Sequence, residues 1–330
     1  MPREPLVDRF GRPHTDLRVS LTDRCTLRCT YCMPEEGVDW LARDLVLSDD
    51  EIVRLVSIAA ELGVRSIRLT GGEPLLRQGL PDLVRRLAGI EPRLKMSMTT
   101  NGLRLPELAP ALADAGLDRV NVSLDTLDPE TFFTLTRRTG LDVVLLGLQA
   151  AAAAGLAPVK VNTVLTRGVN DGEVLDLLHF CLERGYELRF IESMPLDAQH
   201  AWSRDRMVGA AEIRTAIESV HTLTPVEARG SAPAESWLVD GGPGRVGIIA
   251  SVTAPFCGAC DRLRLTADGQ VRNCLFATEE SDLRRAMRAG GTDDELAQIW
   301  REAVQAKKKG HGIGEPDFVP PARPMSAIGG

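Results

Sequence analysis

From Leu17 to Ile191 strand-like and helix-like runs alternate, and no other feature limits the fold of this chain so tightly. Leu17 to Leu21 predicts a strand. Ser48 to Leu62 predicts a helix, with Ser48 as N-cap and Glu51 completing a capping box. Arg65 to Leu69 is a strand that runs into Gly71-Gly72, Leu80 to Ala88 a helix, and Lys95 to Thr99 a strand that runs into Thr100-Asn101-Gly102. A helix over Pro106 to Ala115 and a strand over Arg119 to Leu124 keep the rhythm, and further strands fall near Val159 to Leu165 and Leu188 to Ile191. Strands alternating with helices imply a parallel sheet joined by right-handed crossovers. The expected fold is α/β: a partial (βα)6 TIM-like barrel with its active site at the C-terminal strand ends.

After Pro195 the rhythm changes. Trp237 to Asp240 and Val246 to Val252 flank Gly241-Gly242-Pro243-Gly244, which predicts a β-hairpin, and a second hairpin is expected around Asp268-Gly269. We therefore expect two units: residues 1–200 as the barrel and residues 201–330 as a smaller C-terminal α+β region.

Over 330 residues the net charge is -7, which leaves no basic surplus for general nucleic-acid binding. Aromatic residues are only 4%, so the core must rest on Leu, Val, Ile and Ala. Met1 to Phe10 shows no apolar leader. The most membrane-like run, Val143 to Val159, is interrupted by Gln149 and Pro158 and is too short to span a bilayer. It reads as a helix followed by a strand. A cytoplasmic chain with no membrane contact is expected, and its oligomeric state, a homodimer included, is left open.

In that compartment seven cysteines are not a disulfide framework. They fall as Cys25, Cys29 and Cys32, then Cys257, Cys260 and Cys274, with Cys181 alone in an apolar helix, where it reads as core. A [4Fe–4S] cube normally takes four thiolates. Three on one short loop hold three irons and leave the fourth open to S-adenosylmethionine (SAM), and no further Cys or His lies close after Cys32 to complete a zinc site. The second set again offers three ligands, which suits a second [4Fe–4S] cluster with an open iron. Zinc stays an alternative there, with His221 or His311 as fourth ligand.

Other signals are weaker. Gly242 to Gly247 matches G-x-G-x-x-G, but Pro243 occupies it and no helix follows, so it is a hairpin loop and not a dinucleotide site. No phosphate-binding P-loop run occurs. Lys307-Lys308-Lys309 reads as a solvated helix end, and His14, His179 and His200 as structural or surface residues.

The C-x3-C-x2-C run with Tyr31 before its last cysteine resembles the signature of the radical SAM superfamily, and Gly71-Gly72-Glu73-Pro74 resembles that superfamily's SAM amino-group segment. Together with Asn121 to Asp125, Phe256 to Leu265 and a terminal Gly329-Gly330, these segments resemble the family of molybdenum cofactor biosynthesis protein A, the GTP 3′,8-cyclases. The resemblance implies two [4Fe–4S] clusters. It implies a SAM-derived radical that abstracts the 3′ hydrogen of GTP, and closure of C3′ onto guanine C8, with the guanine on the open iron of the second cluster. It places SAM contacts on Tyr31, Gly72, Ser123 and Met194. It places GTP contacts on Arg18, Arg68, Thr99, Lys160, Arg262, the Leu263 backbone and Arg264, and gives the Gly329-Gly330 tail a part in the site. An electron donor such as flavodoxin or ferredoxin and a downstream cyclic pyranopterin monophosphate synthase are the partners it implies. The alternatives are a peptide-modifying two-cluster radical SAM enzyme and a non-catalytic iron–sulfur or zinc protein.

Overall fold

The computed structural model describes residues 3–197, 199, 201–226 and 229–329. Among them twelve strands form one sheet. They are β1 (Asp16–Ser20), β2 (Ser66–Thr70), β3 (Lys95–Thr100), β4 (Arg119–Ser123), β5 (Lys160–Val164) and β6 (Glu187–Ile191), then β7 (Leu223–Pro225), β8 (Glu235–Val239), β9 (Arg245–Ile249), β10 (Arg262–Leu265), β11 (Gln270–Arg272) and β12 (Ser281–Asp282). The helices of the first half are α1 (Asp49–Glu61), α2 (Leu80–Ala88), α3 (Leu105–Asp114), α4 (Pro129–Thr136), α5 (Leu141–Ala153) and α6 (Val174–Glu183). Those of the second half are α7 (Ala210–Glu218), α8 (Leu283–Arg288), α9 (Asp293–Gln305) and α10 (Met325–Ile328).

Strands β1 to β6 pair in chain order and all run parallel, as the alternation requires. Each carries two sets of side chains on opposite faces. Leu17, Val19, Ile67, Leu69, Val120, Val122, Leu188 and Phe190 are buried in one core with the apolar faces of the helices. Helix α1 shows how that face is written: Ile52, Leu55, Val56 and Ala59 are fully buried at helical spacing. Its start is the expected capping box, with Glu51 N–H donating to Ser48 Oγ at 3.2 Å and Ser48 N–H to Glu51 Oε2 at 2.8 Å. The intervening strand residues, Arg18, Arg68, Asn121, Asn162 and Arg189 among them, point to the other face, the barrel interior.

Both expected hairpins form, as β8–β9 and β10–β11. Their docking was not foreseen. Strand β9 adds in parallel to β6, with Leu188 opposite Val246, and β10 adds in parallel to β1, with Asp16 opposite Arg262. The C-terminal region thus extends both edges of the barrel sheet, in the order β12-β11-β10-β1-β2-β3-β4-β5-β6-β9-β8-β7.

The run from Val143 to Val159 is most of α5 followed by the approach to β5, and among the described residues no helix is long and apolar enough to cross a membrane. Cys181 is buried in α6. His14 is buried and meets Asp8 Oδ2 at 3.2 Å, and His179 meets His221 with their Nε2 atoms 2.8 Å apart. His200 lies outside the described residues. Lys307 corrects the solvated-helix-end reading: its side chain is buried, while Lys308 and Lys309 are exposed. It lies two residues past the end of α9, where its ammonium donates to the Arg262 carbonyl on β10 at 2.8 Å.

Candidate active site

The loop after β1 carries Cys25, Cys29 and Cys32 at the C-terminal edge of the parallel strands. It is pinned by the loop after β2. Gly72 N–H donates to Thr22 O and Glu73 N–H to Arg24 O, both at 2.7 Å. A Cβ on Gly72 would collide with the carbonyls of Asp23 and Arg24, so glycine is required by close backbone approach. Among the described residues the three thiols form no disulfide. Burial, then the Glu73 carboxylate, pushes Cys25 up to about 11. Burial, then Cys25, pushes Cys32 up to about 12, and burial, then Cys32, raises Cys29 well above its ordinary value. Three soft donors crowded in this way ask for a cation that would take up their negative charge. Among the described residues no three His, Cys, Asp or Glu side chains close on a point that would hold one metal ion. A cubane asks for something else, each thiolate on its own iron.

Two buried carboxyls stand beside this loop. Glu73 is pushed up to about 7 by burial, although it accepts from Thr100 Oγ1 at 2.7 Å and from Asn101 N–H at 2.7 Å. Asp125 is pushed up to about 6 by burial and accepts from Tyr31 Oη at 2.6 Å.

The second set lies at the other end of the strands. Cys260 immediately precedes β10 and Cys274 follows the antiparallel β11, so both sit at the edge where β1 begins. Cys257 occupies the short helical turn just before Cys260. Burial would raise Cys260, but Lys307 and then Arg262 outweigh it and hold this thiol below its ordinary value. Its neighbour Cys257 is raised by burial. Three free thiols again converge, here with cations beside them.

Between the two sets the barrel interior is cationic. Strand register places Arg264, Arg18 and Arg68 side by side on β10, β1 and β2. Burial, then the charge of Arg18, holds both Arg68 and Arg264 well below the usual arginine value. Arg189 on β6 is brought down to about 10 by burial and then by Arg119. Among the described residues Arg18 Nε is buried without a hydrogen-bond partner. Among them Arg68 has only Ser97 Oγ, at a long 3.4 Å, and Arg264 donates to Gly329 O. Buried charges left this sparsely paired are costly unless an anion completes them.

One cavity of about 310 Å³ joins all of this, a size suited to small ligands. All six clustered cysteines line it, with Tyr31, Gly72, Ser123 and Met194 and with Arg18, Arg68, Thr99, Arg262 and Arg264. Two expected residues stand apart. Lys160 does not line the cavity; it is ion-paired with Glu187 and brought down to about 8 by burial, then by Arg189. The Leu263 side chain is fully buried on the helix-facing side, so only its backbone faces the interior strand edge. Gly329 touches Ser20 and Thr70 so closely that a Cβ would collide with Ser20 Oγ, while Gly330 lies outside the described residues. Sequence reasoning missed Arg189, Asn162 and Glu192, which also line the cavity. For Arg189 the signal was present: it sits between Leu188 and Phe190, both fully buried, and so must face inward.

Comparison with known proteins fits this arrangement. Residues 19–181 match the radical SAM superfamily and residues 186–313 the family described as Molybdenum Cofactor Synthesis C. The chain is 64% identical over 328 residues to the GTP 3′,8-cyclase of Streptomyces coelicolor, spanning 98% of this chain and 96% of that one. The chain belongs to the GTP 3′,8-cyclase family. A second member, GTP 3′,8-cyclase 2 of Mycobacterium tuberculosis, is 58% identical over 332 residues, with 99% of this chain and 92% of the relative covered. Among solved structures, Streptococcus suis SuiB bound to S-adenosylmethionine superposes with a TM-score of 0.59 at 14% identity, covering 88% of this chain and 69% of the other. Native anSMEcpe with bound AdoMet gives 0.59 at 16% identity, covering 92% and 82%. At such identities the two share with the cyclase family chain its fold.

Proposed function

We propose that GTP lies in the cavity between the two cysteine sets, its triphosphate against Arg264, Arg18 and Arg68 and its ribose toward the Cys25–Cys32 loop. The activity is that of a GTP 3′,8-cyclase acting in molybdenum cofactor biosynthesis, with SAM and two [4Fe–4S] clusters as cofactors. Cys25, Cys29 and Cys32 would hold one cluster and Cys257, Cys260 and Cys274 the other. SAM held at the first set would supply, on one-electron reduction, 5′-deoxyadenosyl radical chemistry able to abstract the 3′ hydrogen of the nucleotide.

The chain's own residues do the binding and orienting. Tyr31, Gly72, Ser123 and Met194 are the SAM contacts we propose, with Tyr31 held by Asp125 and with the Gly72 backbone set by its bonds to the cysteine loop. Thr99, Arg262 and the Leu263 backbone would complete the GTP pocket. Lys160 would act through Glu187 and Arg189, from below the cavity. The single observation that carries the reading is a row of three buried arginines, one with an orphan Nε, between two sets of free thiols. A triphosphate supplies the acceptors such a row lacks. We further propose a boundary near residue 200 between barrel and C-terminal region, a cytoplasmic setting, a flavodoxin- or ferredoxin-like electron donor, and a cyclic pyranopterin monophosphate synthase that takes the product.

Charge-assisted contacts are worth about 1.5–3 kcal/mol each, so Arg18→Ala, Arg68→Ala or Arg264→Ala should weaken GTP binding about ten- to a hundredfold. Misplacement of about 1 Å costs roughly two orders of magnitude in rate, so these variants should also cleave SAM without cyclising GTP. The measurement is 5′-deoxyadenosine formed per cyclic product at saturating GTP. Parent-like binding and coupling in all three would place the triphosphate elsewhere.

A further inference from the structure

The lysine under β10 has no part in the pocket above, yet the chain has built a site around it. Lys307 is 3% exposed. Its Nζ donates to the Arg262 carbonyl at 2.8 Å and lies 3.6 Å from Cys260 Sγ. Among the described residues no carboxylate pairs with it, so its charge is directed at the thiol. The segment that carries it is fixed from the N-terminus. Arg12 donates to the carbonyls of Lys308 at 2.8 Å and Lys309 at 3.0 Å, and also to the carbonyl of Cys257 at 2.7 Å. Arg12 is itself held by the buried Asp8, Nε to Oδ2 at 2.7 Å, and Asp8 in turn meets His14. One network thus ties two cysteines of the second set to the lysine. At the first set the balance is reversed: the Glu73 carboxylate bears on Cys25 more strongly than Arg28 does, and Asp125 bears on Cys29.

We propose that Lys307 is a positioning residue that tunes the C-terminal cluster, its buried ammonium beside Cys260 favouring the reduced state of that cluster. The inference rests on the reading that the second cysteine set holds a [4Fe–4S] cube. One-electron reduction, from the 2+ to the 1+ state, adds one negative charge to the cube and its thiolates. Hydrogen bonds and charge at the ligating sulfurs are among the levers that set such potentials. A cation within hydrogen-bond reach of one ligand sulfur, in a water-poor pocket, lowers the cost of that electron.

The test is a dithionite titration followed by electron paramagnetic resonance on anaerobically reconstituted protein. It is run on the full enzyme, and on a Cys25→Ala, Cys29→Ala, Cys32→Ala background that assigns the second signal. Lys307→Met should move the midpoint of the second cluster to more negative potential, by about tenfold in the reduction equilibrium, or about 59 mV for one electron. Lys307→Arg, which keeps the charge, and Lys308→Met, at an exposed neighbour, should leave it within a small fraction of that. A Lys307→Met protein with its full iron and the parent midpoint overturns the proposal. If the methionine variant does not hold its cluster, Lys307→Gln, which keeps an N–H donor but no charge, is judged by the same criterion. A triple-alanine background that takes up no iron sinks the cluster reading itself, a result distinct from a loaded cluster whose potential does not move.

Discussion

Arg189 shows what a single position can reveal and how it is overlooked. Its interior placement follows from two buried neighbours, Leu188 and Phe190, once β6 is known to alternate. Nothing in its local sequence marks it as a ligand. We expect Arg189→Ala to weaken GTP binding about tenfold, the loss of one charge-assisted contact, while Arg184→Ala, on the exposed end of α6, leaves binding unchanged; isothermal titration of both reads the difference. A parent-like Arg189 variant would mean that this guanidinium faces the cavity without serving it. The cysteines were legible because three thiols within eight residues have few uses besides holding a metal or cluster. Lys307 was not, because three consecutive lysines read as surface, and only tertiary packing decides which of them turns inward. Glu73 and Asp125 share that fate: a carboxyl in a loop is ordinary, and burial, helped at Asp125 by Glu173, raises them toward neutrality.

At the scale of elements, periodicity carried the six parallel strands, most of their helices and the α1 capping box, since all of these depend on residues close in sequence. Pairing across long separations left no local trace. The contact of β10 with β1 joins residues as distant as Asp16 and Arg262, and its partner strands offer only short apolar alternation that would suit many neighbours. The tail is a similar case. Helix α10 is set by Met325 N–H donating to Leu196 O at 3.2 Å, and Ser20 Oγ donates to Ile328 O at 3.1 Å. Beyond it, Gly329 passes between Ser20 and Thr70, with its carbonyl on Arg264, where a side chain has no room. Removing Gly329 and Gly330 should abolish cyclised product while iron content and SAM binding persist, because Gly329 meets the arginine row through Arg264 and otherwise the C-terminal ends of β1 and β2. Full cyclase activity in the truncated protein would reduce the tail to a packed terminus.

Across the whole molecule, a chain of net charge -7 encloses a cationic interior. The separation is produced by topology. Parallel strands send the first cysteine set to one end of the barrel, and the added β10–β11 hairpin sends the second to the other. The alternation of β1, β2, β6 and β10 then lines the space between with arginine. Composition pointed away from nucleic acid without excluding one nucleotide held by a few local charges. The central claim is that this space aligns the ribose of GTP with SAM bound at the first cluster, and isotope transfer tests it most directly. Reconstituted enzyme is incubated anaerobically with SAM, dithionite and GTP carrying deuterium at C3′, and 5′-deoxyadenosine and nucleotide are analysed by mass after separation. The account predicts 5′-deoxyadenosine heavier by one deuterium, together with a nucleotide isomer of GTP that lacks the label, since the lost hydrogen is replaced by an electron and a solvent proton. Unlabelled 5′-deoxyadenosine with unchanged GTP would contradict it.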